Sequence, residues 1–595
     1  MTFFASLLVA LSAVPGPAPA AQEAASQDPA TATGFPGTPI GRVPQVEIAW
    51  NRFYDYEEVY AHFDRLVARW PELLTMQVIG HSVENRELRV YTLNDPATGP
   101  DTAKPAMWID GNVHGNEVQG AEATLYTAWY LLENRGFNDR VTELVDGSVF
   151  YFLPMVNPDG RAHWFRDGHN AHSSRTGYRP VDDDGDGTAD EDPPDDLDGD
   201  GQIVQMRKHV PGEGTHRLNA DDARILERVP DNDRGLRGDW ILLGSEGIDN
   251  DGDGKVNEDP PGGYDMNRSW PSLWQAHHVQ YGAGPYPLYW PETRSIGRFL
   301  YEHPNVAAVQ SFHNAGGMIL RGPGAESFGA YPERDERVYD ELGRAGERML
   351  PFYRYMIIWK DLYTVFGGFA TWTYEGLGII SFTNELWATD QMYGKDLERG
   401  EFQESSLFFD DTLLMSSGFV DWHPFEHPLY GSIELGGFRK DVGRVPPSFM
   451  IEEMLHRNAL FCLQHARAMP RVVIQDVDVV DLGDGVRAID VVFRNESLIP
   501  TRTARATEKH IGKPDTLVIE VKGDAKVMAG GLRTDRFRPE EVDLVRVHPQ
   551  RIVLEGGIGG RDEARARWFV RGDGRATVAW RGEKALDVSQ TLDLP

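Results

Sequence analysis

The sequence predicts an α/β domain, a mixed β-sheet covered by helices on both faces, followed by a C-terminal all-β domain resembling a sandwich. Three observations carry this. Strand, turn and helix alternate through residues 76–80, 88–93, 149–156 and 306–312, as expected of a sheet with helices packed on it. From Arg471 onward short apolar runs (488–493, 516–521, 551–554, 576–580) stand between Gly and Asp turns with no helical period. At 595 residues the chain exceeds one hydrophobic core, so two or three domains are expected.

In chain order, residues 3–14 form an apolar run too short to cross a bilayer, and Ala18-Pro19-Ala20 provides small residues for cleavage. Residues 1–20 therefore read as an export signal, placing the protein outside the cell or in the periplasm, and 21–45 as an Ala/Pro/Gly-rich linker. The α/β domain spans 46–470. It opens with an amphipathic helix over 56–70, with Val59, Phe63, Leu66 and Val67 on one face, and closes with a helix over 447–468. The all-β domain spans 471–595. No later run is long enough for a membrane span. The net charge of −33 argues against nucleic acid and against anionic membrane surfaces. One cysteine, Cys462, excludes an intramolecular disulfide framework.

The chemistry gathers at strand ends. The apolar run 106–109 reads as a buried strand, and residues 118–135 carry Leu125, Trp129 and Leu132 at helical spacing. His114 and Glu117 fall on the turn between them, and an imidazole with a carboxylate suits a zinc ion that takes three protein ligands and one water. His313, ending the apolar run 306–312, has the form of a third ligand. Glu385, at the mouth of the apolar stretch 379–386, is costly to bury unpaired and is a candidate general base. Asn267-Arg268 pairs an amide with a guanidinium, a fork suited to a carboxylate.

This set resembles the zinc carboxypeptidases of the carboxypeptidase A type. Their zinc motif is similar to His114-x-x-Glu117 with His313 downstream, their Asn-Pro-Asp-Gly turn to Asn157-Pro158-Asp159-Gly160, and their carboxylate-binding motif to Asn267-Arg268-Ser269-Trp270. The family's mobile tyrosine, 22 positions before its catalytic glutamate, is matched by Tyr363, with Gly367-Gly368 and Trp372 at the family's offsets. The resemblance covers about 48–470. It implies a zinc-dependent enzyme acting on peptide or protein C-termini, with Glu385 as base and Asn267, Arg268 and Tyr363 holding the terminal carboxylate. It implies that Ala370, seven residues after the tyrosine, floors the side-chain pocket. An uncharged floor, with neutral neighbours Ile358, Val365, Gly368 and Thr383, favours neutral, apolar terminal residues. The family's oxyanion arginine has no clear counterpart. Arg175 is the choice, with Arg207 and Arg161 as rivals. A related zinc amide hydrolase acting on cell-wall peptides or N-acyl amino acids is the alternative activity, and a non-catalytic binding protein of the same fold a third reading.

Two acidic insertions, about 181–201 and 246–261, break the domain. Asp182, Asp184 and Asp186 alternate ahead of Gly187, and Asp249, Asp251 and Asp253 repeat the pattern; both run into Glu-Asp-Pro-Pro. A third copy, Asp196, Asp198 and Asp200, lacks that tail. Residues 181–201 hold eleven carboxylates and no basic side chain, so they repel one another unless something neutralises them. The spacing is that of oxygens wrapping Ca²⁺, although Pro193 and Pro260 replace the Glu expected at position 12. Structural calcium is the expectation, against a solvated acidic loop.

Overall fold

The computed structural model describes residues 43–166, 175, 177, 180, 182, 185–230, 237–262, 264–395, 401–535, 537–538 and 540–594. The expected signal over 1–20, the linker as far as residue 42 and Asp184 lie outside these.

Eight strands build the central sheet: β1 (Leu74–His81), β2 (Glu87–Leu93), β3 (Ala106–Gly111), β4 (Val149–Leu153), β5 (Val306–Asn314), β6 (Met318–Arg321), β7 (Arg354–Ile357) and β8 (Ile380–Leu386). Their order is β1-β2-β4-β3-β5-β8-β6-β7. The middle four, β4, β3, β5 and β8, run parallel, and antiparallel pairings flank them, so the sheet is mixed. β3, β4 and β5 are buried at every residue, as parallel strands covered on both faces must be. Alternation sorts their side chains. Met107 and Ile109 enter one core with helix Gln119–Asn134, while Trp108 enters the other with helix Pro291–Glu302.

Helix Tyr56–Arg69 begins at a capping box in which Asp55 accepts from the Glu58 backbone and Glu58 reaches back to Asp55. Every residue of helix Gln119–Asn134 is buried. It is enclosed by the sheet and by helices Tyr56–Arg69 and Ile451–Arg467. Its polar residues are satisfied from afar: Glu122 accepts from the Tyr54 backbone and pairs with the fully buried Arg161, and Glu133 accepts from the Val46 backbone. Removing one partner of such a buried pair costs about 3–5 kcal/mol.

A second sheet was not legible in the sequence. Strands Gln205–Gly214, His216–Leu218, Leu226–Arg228 and Gly238–Ser245, lying between the acidic loops, join Phe419–His427 and Gly431–Phe438 in a six-stranded antiparallel accessory sheet. Val204, Met206, Ile433 and Leu435 form its small core. The C-terminal region folds as two further sheets, of five and four strands, around one core that includes Phe493, Leu517, Trp568 and Trp580. A short helix, Ala504–Glu508, interrupts its strands, where the sequence showed no helical period. That segment docks on the α/β domain. Asp335 accepts from the Ala504 and Arg505 backbones, and Arg505 donates to the Glu375 carbonyl.

The turn from β3 into its helix depends on two glycines in backbone contact. A Cβ on Gly111 would stand 2.4 Å from the Gly120 carbonyl, and one on Gly120 would stand 2.8 Å from the Phe312 carbonyl oxygen. Backbone cannot give way as a side-chain end can. Gly120→Ala is expected to lower stability by about 1–3 kcal/mol or more, read as a fall in melting temperature, and to lower retained zinc in parallel. A fall in stability with full zinc retention would mean that the contact does not set the turn.

Candidate metal centre

The site lies at the carboxyl ends of the parallel strands, where open α/β sheets place their ligands. Asn112, at φ 57, starts the turn, and its buried amide donates to the carbonyls of His114, Gly115 and Glu117 at 2.7, 3.1 and 3.3 Å. Left-handed backbone is tolerated by Asn, and its side chain closes the loop. His114 and Glu117 thereby face the sheet. His313 ends β5, and in the β5–β8 register it stands directly beside Glu385.

Ligand atoms of His114, Glu117 and His313 lie within 4.8 Å of one another, and all three residues are buried. Both imidazole Nδ1 atoms are 2.9 Å from the Glu117 carboxylate, one on each oxygen. His114 Nε2 is 3.1 Å from Asp265 Oδ1. A carboxylate accepts, so Nε2 is the ring's donor and Nδ1 presents a lone pair. That Nδ1 has no hydrogen-bond partner in spite of its closeness to Glu117. A lone pair facing a carboxylate at that distance is repulsive unless a cation lies between them. The donor set, two imidazoles and one carboxylate with a carboxylate behind one imidazole, fits zinc.

The charges agree. Burial raises the Glu117 carboxyl, but positive charge on the side of the two imidazoles, where a metal ion would sit, outweighs it and holds the group well below the usual range. Burial, then the charge of Glu117, push the Glu385 carboxyl up from its ordinary value. Arg175 Nη1 donates to Glu117 Oε1 at 2.7 Å, which brings the chosen arginine to the site. The rivals are elsewhere. Arg161 is enclosed with Glu122, and Arg207 is sandwiched between Trp240 and Trp422 in the accessory sheet.

The fork residues reach the same place. Asn267 Nδ2 lies 3.4 Å from His313 Nε2, and Asn267 Oδ1 accepts from the Phe369 backbone at 2.8 Å. Arg268 donates to the Asn267 carbonyl and lies 3.8 Å from Asp265. Tyr363 is half-exposed, after the turn Ile358–Leu362. Its loop is fastened at Gly367, where φ is +63 and an added Cβ would meet the Arg268 carbonyl at 2.4 Å. Ala370 is buried on helix Phe369–Glu375.

Two functional residues were missed by sequence reasoning. Asp265 orients His114, accepts from the Asn267 backbone and faces Arg268; its only signal was a carboxylate two positions before the fork. Arg444 Nη2 stands 3.9 Å from Glu117 Oε1 and donates to the Asn314 carbonyl, with nothing local to mark it.

The acidic loops partly rearrange the expected ligand list. Asp249, Asp251 and Asp253 do converge, whereas Asp186 converges with Glu191 and Asp251, and Asp196 and Asp198 with the fully buried Glu246. Asp182 and Asp200 belong to none of these groups; they accept backbone N–H bonds, from Gly185 and Gly187 and from Gln202, as Asp196 and Asp249 also do within their own loops. Glu191 and Glu258 open the Glu-Asp-Pro-Pro tails, and both oxygens of each are buried without a hydrogen bond. Asp192 and Asp259 join the two tails through an antiparallel bridge.

Asp265→Asn is expected to weaken zinc binding about 10–100-fold, measured by competition with a chromogenic chelator. Affinity equal to wild type would remove Asp265 from the centre.

A sequence model described as zinc carboxypeptidase matches residues 59–184 and 244–405, and a domain of unknown function matches 471–593. Carboxypeptidase B of Astacus astacus is 32% identical over 118 residues, 20% of this chain and 37% of that protein. Carboxypeptidase A2 of Mus musculus is 35% identical over 111 residues, 19% of this chain and 25% of that protein. The chain thus spans well under half the length of these curated relatives. Carboxypeptidase A of Helicoverpa armigera aligns in structure with TM-score 0.43 and 17% identity, covering 71% of this chain and 75% of that one. The match to the zinc carboxypeptidase model falls in two segments that flank the accessory strands and contain His114, Glu117, His313 and Glu385.

Proposed function

We propose that the chain is a zinc-dependent carboxypeptidase that hydrolyses the C-terminal peptide bond of peptides or proteins. The observation that carries this is the meeting of three ligands, a base and a carboxylate fork: His114, Glu117 and His313 lie together, with Glu385 beside His313 in the strand register and Asn267 Nδ2 3.4 Å from its Nε2. Zinc held by the three ligands supplies Lewis-acid polarisation of the carbonyl and lowers the pKa of water to about 7.

The chain's own residues do the rest. Glu385 accepts the proton of the attacking water and delivers it to the departing amine. Its carboxyl, raised by burial and by Glu117, is a stronger base than an exposed one. Arg175 donates toward the carbonyl oxygen as negative charge develops there; losing one such donor typically costs about 10²–10³ in rate. Asn267 and Arg268 fix the terminal carboxylate, and Tyr363, half-exposed on its loop, closes over it. Ala370 floors a neutral pocket, supported by the apolar cluster of Leu320, Ile358 and Val365. Large apolar terminal residues are therefore favoured over charged ones, since an unpaired buried charge costs several kcal/mol.

Export is supported by the apolar run at 3–14, and among the described residues no helix is long and apolar enough to cross a membrane. The acidic loops bind structural calcium in this reading. The carboxylate oxygens of Glu191 and Glu258, shielded from solvent with no hydrogen-bond donor, support it, as do carboxylates that converge from separate repeats. The domain divisions at 46–470 and 471–595 belong to the same proposal.

Glu385→Gln is expected to keep its zinc and to lose more than nine-tenths of turnover, by about the usual 10²–10⁴-fold contribution of a general base. Free-acid peptides should be cut and their C-terminal amides spared. Equal rates would show that the fork reads no carboxylate, and release from muropeptides alone would favour the amide-hydrolase alternative. On one peptide frame terminal Phe and Leu should exceed Lys and Glu in kcat/KM, and Ala370→Asp should shift preference toward Lys. Lys released fastest by the wild type would overturn the pocket reading. Millimolar Ca²⁺, with zinc retained throughout, should raise the melting temperature by mass action; coincident melting curves would sink the calcium reading.

A further inference from the structure

A cleft of about 470 Å³ separates the accessory sheet from the carboxyl ends of β5 and β8. Its floor includes Ala315 and Gly316, directly after the His313 strand, and Thr389, four residues after Glu385. Phe402 and Phe438 give it apolar walls, and Arg439 and Arg444 line it. No carboxylate is among the described lining residues, in a protein whose net charge is −33.

The two guanidiniums are under-satisfied. The Arg439 side chain has no hydrogen-bond or ion-pair partner among the described residues. Arg444 donates to the Asn314 carbonyl and approaches Glu117 at 3.9 Å, but its buried Nε has no partner. Its backbone is held by Gln119, the first residue of the helix that follows the metal-binding turn. Arg444 therefore joins the cleft to the metal centre. Both arginines lie outside the segments matched by the zinc carboxypeptidase family.

We propose that this cleft receives the residues preceding the scissile bond and selects an acidic side chain there. The inference rests on the carboxypeptidase reading. None of Asn267, Arg268, Tyr363 or Ala370 lines the cleft. A peptide with its terminal carboxylate on the fork and its last bond over His114, Glu117 and His313 has only its earlier residues left to enter it. A glutamyl side chain suits the walls, since its methylene stem packs on Phe402 or Phe438 while its carboxylate meets Arg439, with the planar donor geometry that guanidinium offers an acid.

The test uses acetylated tetrapeptides ending in Phe, with Glu, Gln or Lys at the second or third position from the carboxyl terminus. Wild type is expected to prefer Glu over Gln in kcat/KM on the order of tenfold at one of these positions, a charge-assisted bond's worth, with Lys slowest. Added salt should narrow the gap. In Arg439→Gln the Glu/Gln ratio should fall to about twofold or less, and Arg439→Lys, which keeps the charge but not the fork, should retain the direction of the preference. Equal rates for Glu and Gln in the wild type, or an undiminished preference in Arg439→Gln, would overturn the proposal. If none of the free-acid peptides is hydrolysed, the carboxypeptidase reading is what fails. Binding of the same peptides to Glu385→Gln and to Glu385→Gln/Arg439→Gln then decides the cleft. Tighter binding of the Glu peptide in the first variant alone supports it, and equal affinities overturn it.

Discussion

The Glu117 carboxylate is 2% exposed, and its two oxygens are shared among His114, His313 and Arg175. Water cannot solvate that charge, so the surrounding chain has to. An isolated buried carboxylate would be neutralised by a proton. Here the Arg175 guanidinium donates to it, and a cation seated between the carboxylate and the two imidazoles would complete its neutralisation; the geometry of the turn, the strand ends and the fork follows from holding those partners in reach. Gly111 and Gly120 let the backbone close tightly enough to aim Glu117 inward, and Asn112 ties off the carbonyls that such a turn leaves without partners.

Asp265 extends the arrangement outward. One oxygen meets His114 and the Asn267 backbone, and the other faces Arg268. On the proposed function, the group that orients a candidate metal ligand is thus also the group that poises the guanidinium offered to substrate. The loop bearing Tyr363 is bonded to the same stretch, through Gly367 to Trp270 and through Phe369 to Asn267. The candidate metal ligands and the Asn267-Arg268 fork share a single hydrogen-bonded layer, and Trp270 stacks on Trp372 next to the fork.

The sequence made the α/β alternation, the strand-end histidines and the fork visible because each is local: an apolar run, a turn, and a polar pair within a few positions. What it concealed is long-range. Asp265 and His114 are 151 residues apart. The helical spacing of Leu125, Trp129 and Leu132 did not show that helix Gln119–Asn134 is buried on every side, because the partners of Glu122 and Glu133, Arg161 and the Val46 backbone, come from distant stretches. The accessory sheet escaped notice because strand Gln205–Gly214 contains Pro211 and Gly212 and has its register broken between His209 and Gly214, so no clean alternation survives. Arg444 gave no signal at all, being an ordinary surface-like arginine until the sheet before it is in place.

That sheet is stitched from two distant stretches: Gln205 pairs with Gly436 and Met206 with Leu435. Bringing such ends together has an entropic cost that local pairing does not. On a ribosome the difference becomes an order of events. His114, Glu117, His313 and Glu385 have all emerged before the strand Gly431–Phe438 exists. The candidate metal ligands and base are all present in the nascent chain while one wall of the neighbouring cleft is still unsynthesised. The half-built accessory sheet meanwhile exposes the edge of Gln205–Gly214, an edge that pairing with other strands would exploit. The acidic loops, joined to each other through Asp192 and Asp259, put like charge near the start of that edge and oppose such pairing until its own partner arrives.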